Sequence, residues 1–549
     1  MYIICRRAET VMCETNSKPR AAPATRSRKK MMPGSRATVL LAASLLSTGE
    51  PAAANFSPTS RTLAPVAVLP GRNKGVTRHG SSVFPLTLSG KGAFVVLDFG
   101  KEVGGFTTVE WGAAQGGASV GLAYSESSNF AACPALSGCD HSSAPCACQF
   151  GPQNQSGAGD HSNGGKGPDL TLSSGPIQPG TNYTPSVAHM RGGFRYLNLF
   201  LESAGSVEIA DVSVYFTAAP TMANPAAYAN HFNSSDELLN EIWYGCAYTT
   251  QMCSIAPSHG RNWPAPATGW NNDVLIGAGN TLLVDGAKRD RTIWPGDMGV
   301  SVGTALVTTG DADSSINSLE TLLELQGDDG MLPYVGPAVF CQKPYGDKCS
   351  KRGAYNSDMY HMWAVVGASN IFLHTSDLAW LRSIWPKYLS AVGASQAKVK
   401  NINGLMAVTA SADWARKGQG GANIAANSLL AHVLDRSAVL ATAMSNSTAA
   451  AEFTLQAAAL RKAINLFLWD EAEGAFKDNP LSKILPQDGN SLALWFKIAS
   501  TPARAASISK YLKGNWGEFG ASSPEVRPGG PIVLSKTCNN VLLIDTAWL

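Results

Sequence analysis

The hydrophobic period of this chain changes once, at Pro220, and that change dictates a fold in two parts. Before it, AFVVLDFG (93–100), FTTVEWGA (106–113), SVGLAYSES (119–127), FRYLNLFLE (194–202) and VEIADVSVYF (207–216) are rich in Val, Phe, Tyr and Leu. Several alternate with period two between glycine-rich turns, which predicts β-strands. They point to an antiparallel β-sandwich over residues 64–220. A Cys- and Gly-rich insertion at 133–184 interrupts it. After Pro220 the apolar residues recur at helical spacing. Ser234 and Glu237 fit a capping box ahead of Leu238, Leu239, Ile242 and Trp243. Further helical stretches follow at 297–309, 312–326, 357–375, 377–395, 422–444, 449–469, 490–499 and 501–513. MWAVVGASNIFL (362–373) is apolar nearly all round, so it is expected to be buried on more than one face. Helix pairs with long loops at one end predict an α/α barrel over 230–532, whose mouth is a natural site. A barrel of six hairpins needs more helices than this pattern supplies. The barrel is therefore expected to be incomplete, with residues 533–549 as an aberrant tail.

Charge and cysteines bear on where such a chain works. Residues 38–48 (TVLLAASLLST) form a short apolar run after Lys29, Lys30 and Arg36, with Ala52-Ala53-Ala54 as a cleavage candidate. That is the pattern of a secretory signal peptide, so residues 1–54 are set apart from the fold and the protein is expected to be extracellular. Beyond them, 34 basic residues face 37 acidic ones, which excludes a general nucleic-acid footprint. No apolar run reaches the ~18 residues of a membrane span. Cys133, Cys139, Cys146 and Cys148 crowd one stretch, and Cys246/Cys253 and Cys341/Cys349 form close pairs, with Cys538 left over. Local disulfides are the expectation in an oxidising compartment. No C-x-x-C pair occurs, and His231, His259 and His361 lack ligand spacing, so no metal and no cofactor is expected. The sequons at Asn55, Asn154, Asn182, Asn233 and Asn446 are compatible with glycosylation.

The chemistry concentrates in DGAKRDRTIWPGD (285–297), which holds Asp285, Asp290 and Asp297 among Lys288, Arg289, Arg291 and Trp294. Pro295-Gly296 places much of it in a loop that runs into a helix, with Asp297 at the cap or in the first turn. Paired carboxylates near cations and an indole face suit sugar hydrolysis. The same composition also fits a capping Asp with surface ion pairs. Asp328, Asp329, Asp358 and Asp413 are candidates for the rim of the site, with helix capping as the other reading. Trp414 is a candidate sugar platform. Trp263, Trp270 and Trp363 fit either the mouth or the core.

DGAKRDR followed by W-x-G-D-M resembles the signature of glycoside hydrolase family 78, the α-L-rhamnosidases, in its fungal form. LDFGKEVGGF (97–106) and RGGFRYLNLFL (191–201) resemble the β-domains that precede the barrel in that family. QGDDGMLPYVGP (326–337), YNSDMYHMWAVVG (355–367), DLAWLRSIWPKY (377–388) and SADWAR (411–416) resemble successive barrel segments. The resemblance implies an inverting enzyme that cleaves terminal α-L-rhamnose, with carbohydrate as its partner. It puts Asp290 in the place of the general acid, usually Glu, and Asp285 and Asp297 in those of two other acidic residues. Arg289 and Trp294 match pocket positions, and Asp358, Asp413 and Trp414 are the further substrate-binding candidates. A shift of one residue would put Arg291 at the acid's place. The family's general base is a late Glu, and Glu518 and Glu525 both precede its place, so the chain is expected to be truncated. A sugar-binding protein without that base, or another six-hairpin glycosidase or lyase, are the competing expectations.

Overall fold

In this computed structural model, residues 55–126, 128, 131, 172–261, 272–288, 290–337, 357–400, 402–411, 413, 420–517 and 520–521 are described. The segment 1–54 expected as a signal peptide, the tail at 533–549, Glu518, Glu525, Arg289, Trp263, Trp270, Trp414 and every cysteine except Cys246 and Cys253 lie outside them.

The first part is one antiparallel sheet. Its strands are β1 (Thr62–Leu63), β2 (Ala67–Lys74), β3 (Val76–Arg78), β4 (Leu86–Ser89), β5 (Phe94–Gln115), β6 (Ser119–Ser125), β7 (Leu172–Pro176), β8 (Asn182–Tyr183), β9 (Arg191–Leu201) and β10 (Ser206–Phe216). The main path runs β3-β4-β10-β5-β9-β6-β7. The segments 93–100 and 106–113, expected as two strands, are one. β5 is continuous, and its register shifts at Asp98/Val103 and Val103/Gly105 mark an irregularity where a turn was anticipated. Its first half pairs with β2 and β9, and its second half with β10 and β8. Buried residues of β4, β5, β6, β9 and β10 share one core, so the two layers expected of a sandwich are halves of one bent sheet. In β10 the buried positions run Val207, Ile209, then Val212, Val214 and Phe216. The phase changes at the register shift between Ile209 and Asp211. Leu172–Pro176 and Asn182–Tyr183, assigned by sequence to the insertion, pair with β6 and β5 and so belong to the sheet. Leu172 and Ile177 are buried there, which drives the pairing.

The second part is helical: α1 (Glu237–Met252), α2 (Pro295–Val307), α3 (Ala312–Glu324), α4 (Asp358–Thr375), α5 (Leu378–Gln396), α6 (Ile424–Ala443), α7 (Ser447–Phe467), α8 (Gln487–Trp495) and α9 (Pro502–Gly514). Each lies within a few residues of its expected span. One apolar core runs through these helices, and α4 packs against α2, α3, α5 and α6. That explains the all-round apolar sequence of α4. Trp363 packs in this core against Trp495 and Phe496, not at the mouth. α1 is capped by Asp236, whose carboxylate accepts from Leu238 N at 3.0 Å. The anticipated capping box is thus displaced by two residues, and Ser234 accepts from Asp236 N instead. Cys246 and Cys253 lie two turns apart on and just after α1 and are not joined in a disulfide. Seven helical residues rise about 10 Å, beyond the reach of one bridge. Among the described residues, no helix is long and apolar enough to cross a membrane.

Candidate active site

The acidic loop grows from a short antiparallel pair. β11 (Ser254–Ile255), directly after α1, pairs with β12 (Leu282–Leu283), and Val284 N donates to Cys253 O at 2.9 Å. The chain then closes on itself. Asp285 N donates to Thr292 O at 3.2 Å, and Thr292 N to Asp285 Oδ1 at 3.3 Å. Ile293 exchanges backbone hydrogen bonds with Gly336, at 3.2 and 2.9 Å, and Thr292 Oγ1 donates to Gly336 O. The loops 285–293 and 326–337, far apart in sequence, therefore form one surface.

Inside the closed loop, Asp290 and Arg291 have φ of +49° and +47°. Two successive non-glycine residues in the left-handed region are costly, about 1–3 kcal/mol each, and such strain concentrates at functional sites. Arg291 makes the bend fold. Its side chain is buried, with Nε donating to His259 O at 3.1 Å and Nη1 to Ala287 O at 2.5 Å. Burial, with Arg261 nearby, lowers its pKa to about 10, so it stays charged at neutral pH and is no proton donor there. The alternative register, which would put Arg291 in the acid's place, has no chemistry to offer. Asp290 is 5% exposed.

Arg291 and the loop rest on β9. A Cβ at Gly192 would overlap the Ala287 carbonyl oxygen and Arg291 Nη1, and one at Gly193 would stand 2.6 Å from Glu102 Oε1. The pair of glycines in RGGF thus lets the loop lie directly on the strand.

Asp297 is the third residue of α2, with Pro295 in the first turn and Trp294 at the cap position. It is therefore a first-turn residue and not the cap, where the helix dipole favours its carboxylate form. Asp285 and Asp297 both act electrostatically on the buried Cys253 thiol. That common neighbour brings the two carboxylates to one locality. Burial first, and then these charges, push Cys253 up to about 12, which keeps the thiol unreactive.

Trp294 is buried and meets Tyr334 edge-on at 5.0 Å and Tyr360 at 6.1 Å, while the two tyrosines stack at 5.3 Å. The partly exposed aromatic surface beside the acids belongs to Tyr334 and Tyr360, with Trp294 behind them. Neither tyrosine stood out in the sequence. They lie in different barrel segments: the pairing of Ile293 with Gly336 brings Tyr334 to Trp294, and the packing of α4 on α2 brings Tyr360.

The other acidic candidates gather on the far side of the first turn of α4. Asp358 is buried, ion-paired with Lys398, and accepts from Thr409 N at 2.9 Å and Ala410 N at 3.2 Å. Its cap role is taken by Ser357, which accepts from Tyr360 N at 3.2 Å. Asp358 thus ties the 408–413 segment to α4, and the Ser357–Ser411 bridge sets Asp413 alongside. Asp329 is exposed and lines a pocket of about 410 Å3 with Lys398 and Thr409. Asp328 is exposed too.

His361 holds the 326–337 loop from below. Its Nδ1 accepts from Leu332 N at 3.1 Å, so Nε2 donates to Ala391 O at 2.8 Å. Burial draws its pKa down to about 4. An unfolded imidazole takes its proton near pH ~6.5, so the folded state binds fewer protons between there and pH 4. Stability is expected to fall as pH falls through that window. His361→Gln should flatten part of the decline in Tm; an unchanged slope would place the acid sensitivity elsewhere.

Residues 278–518 match the family model described as the bacterial alpha-L-rhamnosidase 6 hairpin glycosidase domain. Among solved structures, the chain superposes on the rhamnosidase from Klebsiella oxytoca with rhamnose bound. The identity is 18% and the TM-score 0.58, over 83% of this chain and 79% of that one. The GH78 family rhamnosidase of Bacillus sp. GL1 gives 19% and 0.56, over 82% and 39%. The Streptomyces avermitilis α-L-rhamnosidase complexed with L-rhamnose gives 16% and 0.50, over 83% and 35%. The chain thus spans most of the Klebsiella protein but well under half of the other two. No curated protein matches the chain. Residues 278–518, somewhat under half of the chain, are thus similar to that six-hairpin glycosidase domain, and the solved structures share the fold.

Proposed function

We propose that this is a secreted glycoside hydrolase that removes terminal α-L-rhamnose from glycosides or polysaccharides with inversion, and that Asp290 is its general acid. The observation that supports this most is the closed loop 285–293. It carries Asp285 and Asp290 to the start of α2, where Asp297 lies beside the Trp294, Tyr334 and Tyr360 cluster. Asp290 would protonate the departing glycosidic oxygen while a second carboxylate activates water on the opposite face of the ring. Asp285 and Asp297 would accept sugar hydroxyls, with Arg289 as a further contact. Tyr334 and Tyr360 would cover the C–H face of the ring. Rhamnose is named as the sugar because the Klebsiella and Streptomyces structures hold it.

The test is hydrolysis of an aryl α-L-rhamnoside followed by NMR. Release of the aglycone with β-L-rhamnose as the first anomer is the expected result. α-L-Rhamnose first would overturn inversion. Rhamnose binding with no turnover of any rhamnoside would make the chain a sugar-binding protein, and an unsaturated, ultraviolet-absorbing product would make it a lyase. Secretion is checked by N-terminal sequencing of protein from the culture medium, which should begin near residue 55.

A further inference from the structure

The underside of the acidic loop meets two glutamates of the sheet. Glu102 lies in β5, and its carbonyl oxygen accepts the hydroxyl of Tyr248 from α1 at 2.5 Å. The bare Cα of Gly193 makes room for its carboxyl. From that point Glu102 Oε1 is 2.6 Å away and Lys288 Cβ 3.5 Å, measured from where a Cβ would stand. Lys288 belongs to the loop, three residues after Asp285 and two before Asp290. Its ammonium pairs with Glu126 Oε2, at the end of β6, at 2.6 Å. The Glu126 carboxyl lies close enough to that of Glu102 for the two charges to act on each other. The charged and titratable groups facing Glu102 are Glu126 from β6, Lys288 from the loop, Arg195 from β9 and Tyr248 from α1. Arg195 is held by Asp98 at 2.8 and 3.0 Å. Among these groups, then, Lys288 is the cation that serves the two glutamates.

We propose that Glu102 and Glu126 are positioning residues: they clasp Lys288 and so hold loop residues 286–291 on the sheet in the shape that orients Asp290. The role assigned to Asp290 rests on the functional reading above; the clasp itself does not. Two touching carboxyls share one ammonium poorly when both are charged. Burial, and then the Glu126 charge, raise the Glu102 pKa to about 8, against the pull of Lys288. Below that pH Glu102 is neutral and Glu126 alone faces the Lys288 ammonium with a negative charge. Above it a second negative charge faces the first, so the clasp loosens.

The experiment is amide hydrogen exchange across 286–291 between pH 6 and 9, corrected for intrinsic rates, alongside the pH profile of kcat. Wild-type protection should fall by about tenfold between pH 7 and 9, as the protonated fraction does. Glu102→Gln keeps the size of the side chain and cannot ionise, so it should hold protection to pH 9 and move the alkaline limb of kcat upward. Lys288→Met should lose protection at every pH, and Lys288→Arg should restore it. A carboxyl protonated only in the folded state costs stability as pH rises. The Tm of wild type should therefore fall relative to Glu102→Gln from pH 5 to 8. Protection independent of pH, or unaltered in Lys288→Met, overturns the clasp whether or not any rhamnoside is hydrolysed. Protection that behaves as expected in a protein that hydrolyses no glycoside leaves the clasp standing and removes the functional reading.

Discussion

Asp290→Asn is expected to lower kcat for a rhamnoside with a poor leaving group by roughly 10²–10⁴-fold, the usual share of a general acid. Asn cannot give a proton to the departing oxygen, yet it matches Asp in size. It also tolerates the left-handed backbone that residue 290 adopts, at φ +49°. The closed loop therefore survives the change, and both Tm and rhamnose affinity should stay close to the parent values. On an aryl rhamnoside whose leaving group departs without a proton, the loss should be much smaller. That contrast between substrates separates an acid from a residue that merely shapes the pocket. Equal losses on both substrates, or no loss on either, would take the role away from Asp290.

Gly192→Ala is expected to destabilise the protein by roughly 3 kcal/mol or more, because overpacking and a displaced buried cation act together. The new methyl would be driven into the Ala287 carbonyl oxygen and the buried guanidinium of Arg291. Relief requires the loop to lift from β9, which strips Arg291 of its two carbonyl partners. Gly117→Ala is the comparison. Gly117 has φ +63° and no atom within 4 Å of an added Cβ, so only backbone strain of about 1 kcal/mol opposes it. Denaturant titration of the two variants separates close approach from conformation. Similar losses would mean that the loop does not rest on the strand.

The periodicities read from the sequence correspond closely to the elements, because each depends on neighbours a few residues away. α4 is a case in point, since the continuous apolar run 362–373 required burial on several faces and α4 is packed on several sides. What the pattern misjudged were glycines. Gly104 and Gly105 looked like a turn between two strands, but in β5 they let neighbouring backbone come close. A Cβ at Gly104 would overlap Gly192 O, and one at Gly105 would overlap Tyr215 O. Local sequence does not distinguish a glycine that turns the chain from one that admits another chain. The acids at 285, 290 and 297 were legible as candidates because they share one short segment. Tyr334 and Tyr360 were not, since Tyr334 reaches Trp294 through a bridge across 43 residues, from Ile293 to Gly336, and Tyr360 through the packing of α4 on α2. Asp358 was read as a possible sugar contact. Its carboxylate is spent on Lys398 and the amides of 409 and 410, partners that no spacing rule could name.

The loop that carries Asp290 leaves the helical part and lies down on Gly192 and Gly193 of the sheet. The shape of the acidic loop is therefore not the property of either half. A gene fusion or duplication that copied the helical half alone would inherit the acidic motif without the surface that shapes it. Drift in the sheet at those two glycines would show as a defect in the other half. RGGF and DGAKRDR, nearly a hundred residues apart, thus act as one structural motif.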